Sequence, residues 1–207
     1  MSTQGTMDPG IDRDGDDEAA LRFAELETPA GVVRVVATAG VIRRVDMATQ
    51  DRFRDVPAGG HRPDEPVLRR ALEQLREYFA GTRRLFDLPL DPAGGTPFQR
   101  RAWQALRAIP FGQTRSYGDQ ARAIGTPAAV RAVGAANARN PIGIVVPCHR
   151  VIGSDGKLTG YGGGLPAKKW LLAHEARVLA AATGQAPSDS PARARADQIE
   201  LFPDIAP

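Results

Sequence analysis

Residues 116–150 read SYGDQARAIGTPAAVRAVGAANARNPIGIVVPCHR and carry the strongest structural signals in the chain. The Ser-x-x-Asp pattern at 116–119 is typical of a helix start, because each side chain can bond the other residue's backbone N–H. Gly125 predicts the end of that helix, and a second helix is predicted over residues 126–137. Two short helices joined by a glycine-containing turn indicate a helix-turn-helix.

The region around this motif is strongly basic. Residues 98–139 carry seven arginines against the single acid Asp119, a net charge of +6. The arginines are Arg100, Arg101, Arg107, Arg115, Arg122, Arg131 and Arg139. Charge alone is typical of a solvated face, but charge together with a helix-turn-helix favours a nucleic-acid partner.

The second predicted helix has almost no long side chains. Its many Ala and Gly residues let it approach a surface closely but leave little to read base edges in the major groove. The sequence therefore predicts minor-groove or backbone contact, with Arg131 entering between bases; tight packing on a neighbouring helix is the alternative. The candidate DNA-binding residues are Arg115, Ala129, Arg131, Ala132, Ala135 and Arg139.

The chain has one cysteine, Cys148, which excludes both an intrachain disulfide and a multi-cysteine zinc site. It follows residues 142–146 (IGIVV), an apolar run that predicts a buried strand. A lone cysteine is usually a small buried hydrophobe. A reactive cysteine instead needs a base close by, since the thiolate is the nucleophile.

His149 and Glu175 are the candidates for activating Cys148. Glu175 lies on the apolar face of a helix predicted to start near Pro166, and a carboxylate in that position needs a partner. Two interpretations stay open. Either Glu175 pairs with an arginine, or it orients His149 as the acid of a nucleophile–His–acid arrangement.

The first part of the chain predicts a small α/β unit over residues 21–92, in which no chemistry is visible. Residues 31–37 and 41–47 are rich in β-branched side chains and predict a hairpin. Residues 66–80 predict a helix from their 3.6-residue apolar period. Residues 85–90 predict a further strand.

Both ends of the chain have the composition of flexible tails. Residues 1–20 hold six acids and one arginine and predict a disordered acidic tail, and residues 181–207 predict a second one. The sequence shows neither an apolar run long enough for a transmembrane helix nor a secretory signal. Together with the single cysteine, this favours a cytoplasmic, reducing setting without a membrane partner.

Five sequence blocks, in this order, resemble the O6-alkylguanine-DNA alkyltransferase family. They are IPFG…SY (109–117), RAVG…NP (131–141), PCHRVI (147–152), GYGGGL (160–165) and KKWLLAHE (168–175). The resemblance covers about residues 96–178 closely and the α/β unit loosely. It implies an α+β fold, with a small N-terminal α/β domain of the ribonuclease H-like type. A mostly helical domain over 96–180 then carries the helix-turn-helix and the reactive cysteine.

The resemblance also implies repair of DNA by direct reversal. The alkyl group of O6-methylguanine, and of O4-methylthymine, is transferred once and irreversibly to Cys148. His149 takes the Cys148 proton through a water, Glu175 orients His149, and Tyr117 donates a hydrogen bond to the leaving guanine. Asn140 ties the recognition helix to the strand that bears Cys148. No cofactor or metal is expected.

Further implied roles concern the base and its pocket. The damaged nucleotide flips out of double-stranded DNA, approached through the minor groove, and Arg131 fills the vacated stack. The backbone of Val146 and Cys148 helps to read the base, and Tyr161 lines the pocket. Gly162 stands where some family members have a serine, so only its backbone N–H can meet the guanine oxygen. The protein is expected to be a nucleoid-associated monomer.

Residues 198–202 (QIELF) resemble the pentapeptide by which bacterial repair and replication proteins bind the sliding clamp. Gln198 would enter a polar pocket, and Leu201 and Phe202 an apolar one; folding back onto the preceding domain is the alternative. Two other functions compete with alkyl transfer. One is lesion binding without chemistry, and the other is Cys–His hydrolysis of acyl substrates, which gives the basic helices no role.

Overall fold

A computed structural model describes residues 21–49, 60–92 and 94–184. The acidic tail predicted at 1–20 and the clamp-like pentapeptide at 198–202 lie outside the described residues. The tail predicted from residue 181 onward is described only to 184, and over that length a helix that begins at Leu165 continues to Thr183. In the described part of the chain, no helix is long and apolar enough to cross a bilayer.

The N-terminal part is an antiparallel three-stranded sheet with one helix. Its elements are β1 Arg22–Leu26, β2 Val33–Thr38, β3 Val41–Met47 and α1 Pro66–Phe79. The predicted hairpin is β2–β3, and its turn holds Ala39 and Gly40 at φ 48° and 79°, the left-handed pair that a tight hairpin turn needs. The sequence reasoning missed β1, which has one buried residue, Ala24, and so shows no clear alternation.

The helix α1 packs its apolar face on the sheet, as its period predicts. Leu68, Leu72 and Leu75 are buried. Gly81 follows the helix at φ 80°, and a Cβ on it would lie 2.8 Å from Val178. The end of α1 therefore lies close against the helix that carries Val178.

The strand predicted at 85–90 is wrong. Within that segment Leu90 forms an isolated bridge with Ile42. The backbone of Asp87 is bonded instead by the side-chain amide of Gln74 on α1, which accepts from its N–H at 2.9 Å and donates to its carbonyl at 2.9 Å. A side chain therefore replaces a strand partner at Asp87, and only the end of the segment bonds β3, where the Pro89 carbonyl accepts from the Ile42 N–H at 2.8 Å.

The C-terminal part is mainly helical. Its elements are α2 Pro97–Arg107, β4 Arg115–Ser116, α3 Tyr117–Ala123, α4 Val130–Ala138, β5 Val151–Ile152 and α5 Leu165–Thr183. Capping boxes open two of the helices: Thr96 with Gln99 precedes α2, and Ser116 with Asp119 precedes α3. The predicted helix-turn-helix is α3 with α4, which pack on each other.

The second helix of this motif begins later than predicted. Residues 126–129 form a turn in which the Ala129 N–H donates to the Thr126 carbonyl at 2.9 Å, and α4 starts at Val130. The Thr126 hydroxyl, which would cap a helix starting at Pro127, has no hydrogen-bond partner in the described chain. Without that cap, the first N–H groups are satisfied by the turn.

The strand predicted at 142–146 is also wrong. Ile142 pairs with Val45 of β3 in one parallel bridge, and the chain then turns, with Ile144 at φ 68°. That conformation costs a β-branched residue about 1–3 kcal/mol, so surrounding contacts must hold it. The segment is buried as predicted, but periodicity cannot separate a buried turn from a buried strand in so short a run.

Backbone hydrogen bonds tie this turn to the N-terminal sheet. The Val45 N–H donates to the Pro141 carbonyl at 2.9 Å, and the Val45 carbonyl accepts from the Gly143 N–H at 3.0 Å. On the other side, β4 pairs with β5 in parallel, which places the start of α3 beside the segment that follows Cys148. The turn before Cys148 therefore joins both halves of the fold.

Candidate active site

Cys148 begins a single turn of 3-10 helix, Cys148–Arg150, directly after the buried turn. It is 8% exposed and lines a cavity of about 330 Å³. The other walls come from α4, from Tyr117 at the start of α3 and from the loop at 159–161. A cavity of this volume is in the range of small-molecule sites.

Asn140, just after α4, bonds both the backbone around Cys148 and the thiol itself. Its side-chain NH2 donates to the Val146 carbonyl at 2.8 Å and to the Cys148 sulfur at 3.2 Å. Its side-chain oxygen accepts from the Ile142 N–H at 3.1 Å. Donation to sulfur favours the thiolate over the thiol. The structure thus brings Asn140 and Cys148 together. The segment that leads to Cys148 is, however, a turn and not the predicted strand.

His149 is fully buried beside Glu175, with 2.9 Å between Nε2 and Oε1. An ionised carboxylate can only accept, so Nε2 carries the proton and Nδ1 keeps a lone pair. No group in the described residues bonds Nδ1. Burial lowers the pKa of His149, and Glu175 opposes that shift. His149 is therefore a neutral base with one nitrogen held and the other able to accept a proton.

Glu175 is bonded by three residues besides His149. The Arg150 guanidinium donates to Oε1 at 2.9 Å and to Oε2 at 3.0 Å. The Tyr78 hydroxyl donates to Oε1 at 2.9 Å, and the Gly112 N–H donates to Oε2 at 2.7 Å. Burial alone would raise the pKa of Glu175, but His149 and Arg150 hold it well below its ordinary value. Glu175 therefore pairs with an arginine and also bonds His149, and its role as the acid of a nucleophile–His–acid arrangement stays a prediction.

Lys168 on α5 is a charged group in the site that the sequence reasoning missed. Its side chain is buried, and Nζ donates to the carbonyls of Val151 at 2.7 Å and Thr159 at 2.9 Å. Burial lowers the pKa of Lys168 to about 8, and Cys148 opposes the shift. Lys168 precedes Glu175 by two helical turns on the same apolar face, so the pattern that singled out Glu175 could also have found it.

Two tyrosines and a glycine loop form walls of the cavity. The Tyr117 hydroxyl lies 3.5 Å from the Thr159 carbonyl. Burial raises the pKa of Tyr117 and that hydrogen bond opposes the shift, so the phenol is a protonated donor at neutral pH. Gly163 lies between Tyr161 and Met47 of β3 so tightly that a Cβ on it would be 2.8 and 2.3 Å from them. The N-terminal sheet thus supports the loop that carries Tyr161.

Val146 and Gly162, also predicted at the pocket, occupy different places. Val146 is not among the described residues that line the cavity. Its carbonyl accepts from the Cys148 N–H at 2.8 Å as well as from Asn140. These bonds hold the backbone of Cys148 in its turn. Gly162 lines a second, narrow crevice that also reaches Cys148.

The helix α4 has one packed and one exposed face. On the packed face, Trp103 of α2 donates its indole N–H to the Ala136 carbonyl at 2.8 Å. The exposed residues are Val130, Arg131, Ala132, Ala135, Ala138 and Arg139. The packed face bears out the packing interpretation of the thin helix, whereas minor-groove contact through the exposed face stays a prediction. Arg131 also lines the cavity, whereas Arg115 and Ala129 are half-buried.

Two models of one protein family match the chain in the same order as its two parts. The model described as the ribonuclease-like domain of 6-O-methylguanine DNA methyltransferase matches residues 21–92. The model described as the DNA binding domain of the same protein matches residues 97–177. Together they cover the sheet, the helix-turn-helix and the site around Cys148.

Two curated relatives are named methylated-DNA–protein-cysteine methyltransferase. The one from Mycolicibacterium paratuberculosis is 47% identical over 76% of this chain and 93% of its own length. The one from Salmonella typhimurium is 59% identical over 52% of this chain and 63% of its own length.

Solved structures show the same fold. Mycobacterium tuberculosis OGT in complex with DNA is 45% identical, covers 76% of this chain and 94% of that chain, and superposes with a TM-score of 0.68. Mycobacterium tuberculosis O6-methylguanine methyltransferase is 41% identical, covers 82% of this chain and 96% of that chain, and gives a TM-score of 0.67. The α+β fold expected from the sequence is confirmed, and the chain belongs to the 6-O-methylguanine DNA methyltransferase family.

Proposed function

We propose that the chain repairs DNA by moving the alkyl group of O6-methylguanine onto the sulfur of Cys148. Transfer from methylated DNA to a protein cysteine is the activity of its relatives. The surroundings of Cys148 are the strongest support for this residue as the acceptor. The chain's single thiol lines the cavity, accepts a hydrogen bond from Asn140 and is followed directly by a buried, neutral His149.

The reaction balances without a co-reactant. His149 takes the Cys148 proton at Nδ1 through a water, and the thiolate attacks the methyl carbon in line with its bond to O6. The carbon–sulfur bond forms as the carbon–oxygen bond breaks, and the electron pair stays on guanine. The proton passes to guanine, so that a thiol and O6-methylguanine become a thioether and guanine. Because a thioether is stable, each molecule acts once.

Two further groups assist guanine as a leaving group and hold the pocket. The Tyr117 hydroxyl, protonated at neutral pH, donates a hydrogen bond as negative charge develops on the base. Lys168 holds the carbonyl of Thr159, and thereby the loop that leads to Tyr161.

O4-methylthymine presents the same bond between an exocyclic oxygen and a methyl carbon, and we place it in the substrate range for that reason.

The exposed face of α4 is the surface that meets double-stranded DNA. Small residues on that face let the helix backbone come close to the minor groove. Arg131 lies both on this face and at the cavity, so it can fill the gap left by a nucleotide that has flipped towards Cys148. One chain carries all of these groups, and we propose that it works as a monomer on the nucleoid.

The labelled-methyl assay tests the acceptor directly. A duplex with a labelled O6-methylguanine is mixed with wild type and with Cys148→Ser, and the label on the protein is counted. We expect transfer in wild type, none in the serine variant and the same duplex affinity in both, because a hydroxyl is nearly isosteric but a far weaker nucleophile. Label on the serine variant would refute the assignment. Binding without transfer in wild type would indicate lesion binding, and repeated turnover of an acyl ester would indicate a hydrolase.

The sliding clamp is a proposed partner through Gln198, Leu201 and Phe202, all outside the described residues. A partner bound through two neighbouring apolar side chains, Leu201 and Phe202, would raise the local concentration of the protein on DNA. A peptide of residues 193–207 should bind the cognate clamp, and the same peptide with Leu201→Ala and Phe202→Ala should not. Equal binding by the two peptides, or none by either, would contradict the proposal.

A further inference from the structure

Tyr78 brings the N-terminal sheet domain into contact with the group that bonds His149. Its side chain is fully buried, and its hydroxyl donates to Oε1 of Glu175 at 2.9 Å. That is the same oxygen that His149 Nε2 meets at 2.9 Å. The backbone carbonyl of Tyr78 accepts from His174 at 2.7 Å, so α1 bonds two successive residues of α5.

We propose that Tyr78 is a positioning residue of the transfer reaction, whose hydroxyl shares one oxygen of Glu175 with His149 and thereby keeps His149 a neutral base. The inference rests on the proposed roles of Cys148 and His149, and it adds a residue from the other domain to them. Tyr78 acts through Glu175 and touches neither the thiol nor the base.

Competition for one oxygen gives the proposal its direction. A carboxylate oxygen that already accepts from a phenol is a weaker partner for an imidazolium, because its charge is partly neutralised. The Arg150 guanidinium adds to this effect, since it contacts both oxygens of Glu175. Glu175 can therefore fix the tautomer of His149 without holding a proton on the ring. A base that stayed protonated could not accept the proton of Cys148.

The phenol donates at every pH at which the protein acts. Burial raises the pKa of Tyr78 well above its ordinary value, and Glu175 raises it further. Tyr78 therefore stays protonated, and its donation to Glu175 does not itself titrate. The titratable or charged groups that act on His149 are Glu175, Arg150 and Lys168, with the Tyr161 ring packed edge-on against the imidazole. Tyr78 reaches His149 only through Glu175, and Cys148 precedes His149 in the chain.

The rate of single-turnover methyl transfer as a function of pH tests the proposal. The rate falls at low pH as His149 becomes protonated, and we call this fall the acid limb. In Tyr78→Phe the acid limb should move to higher pH by about 0.5–1 unit, because one donor fewer then shares Oε1 with His149 and more of the charge of that oxygen stabilises the imidazolium. With 3-fluorotyrosine at position 78, a stronger donor, the acid limb should move to lower pH. Above the acid limb the transfer rate no longer depends on pH, and this constant rate is measured as a separate quantity.

Two control variants separate this role from packing and from the proposed function. Phe86→Leu disturbs a ring 5.5 Å from Tyr78 without touching Glu175, so it should lower stability and leave the acid limb in place. His149→Gln should abolish the acid limb; if it does not, the role of His149 fails and the inference falls with it. If that control behaves as expected but neither change at position 78 moves the acid limb, Tyr78 only packs, and the inference alone is overturned.

Discussion

Glu175 accepts hydrogen bonds from four residues in a buried site, which makes its replacement costly. Breaking one partner of a buried ion pair leaves the other charge without compensation. We expect Glu175→Gln to lower the free energy of unfolding at neutral pH by about 3 kcal/mol. Denaturant unfolding measures this loss, and Glu73→Gln on the exposed side of α1 is the matched control, expected to change little.

The same substitution has a defined pH dependence. The pKa of Glu175 in the folded state lies below its ordinary value of 4.5, so its contribution is complete above pH 4.5 and is lost as the pH falls below it. The stability difference between wild type and Glu175→Gln should therefore narrow under acidic conditions. A difference that stays constant from neutral to acidic pH would show that the carboxylate charge is not what stabilises the fold.

Whether a site residue could be predicted from the sequence depends on how far along the chain its partners lie. Cys148, His149 and Glu175 could be found, because two are adjacent and the third is a carboxylate on an apolar helical face. Tyr78 could not be found, since it is 97 positions from Glu175 and a tyrosine in a helix is ordinary core. Arg150 was visible in the motif, but nothing local assigned it to Glu175.

Among the elements, α4 carries the prediction that tests DNA recognition. Arg131→Ala should lower single-turnover repair of saturating duplex DNA by about 10- to 100-fold, because filling the vacated stack offsets a flipping cost of a few kcal/mol. Reaction with O6-benzylguanine as an unattached base should be unchanged, provided that wild type accepts it. Arg139→Ala is the control: it removes the same charge directly after the end of α4, at a residue outside the cavity lining.

Two comparisons decide whether Arg131 replaces the flipped nucleotide or supports the fold. One is with Arg139→Ala, and the other is between the duplex and the unattached base. Arg139→Ala should weaken DNA affinity at raised salt while the saturating rate stays near that of wild type. If Arg131→Ala lost activity equally on the duplex and on the unattached base, Arg131 would support the fold and would not replace the flipped nucleotide.

Elements with local signals were predictable, and those set by distant contacts were not. The capping residues at Thr96 and Ser116 act within one helical turn, so the starts of α2 and α3 could be read from the sequence. The form of residues 142–146 depends on backbone bonds to Val45 of β3 and on the side chain of Asn140. The pattern of an apolar run does not show which distant groups bond it, and for this reason residues 142–146 predict a strand.

At the scale of the whole molecule, the N-terminal sheet supports the site from several sides. Val45 bonds the turn before Cys148, Met47 packs behind Gly163 in the loop that bears Tyr161, and Tyr78 bonds Glu175. Each contact reaches a different wall of the cavity or the groups behind it. The two parts of the chain therefore form one reactive unit, although the sequence showed chemistry in only one of them.

The most direct test of Cys148 as a methyl acceptor that reacts once is the mass of the protein after reaction with an excess of duplex DNA containing O6-methylguanine. The intact mass should rise by one methyl-for-hydrogen exchange per molecule and then stop rising, and peptide mapping should place the methyl group on Cys148. Continued loss of O6-methylguanine beyond one per protein molecule, or a Cys148 peptide of unchanged mass, would contradict this role of Cys148.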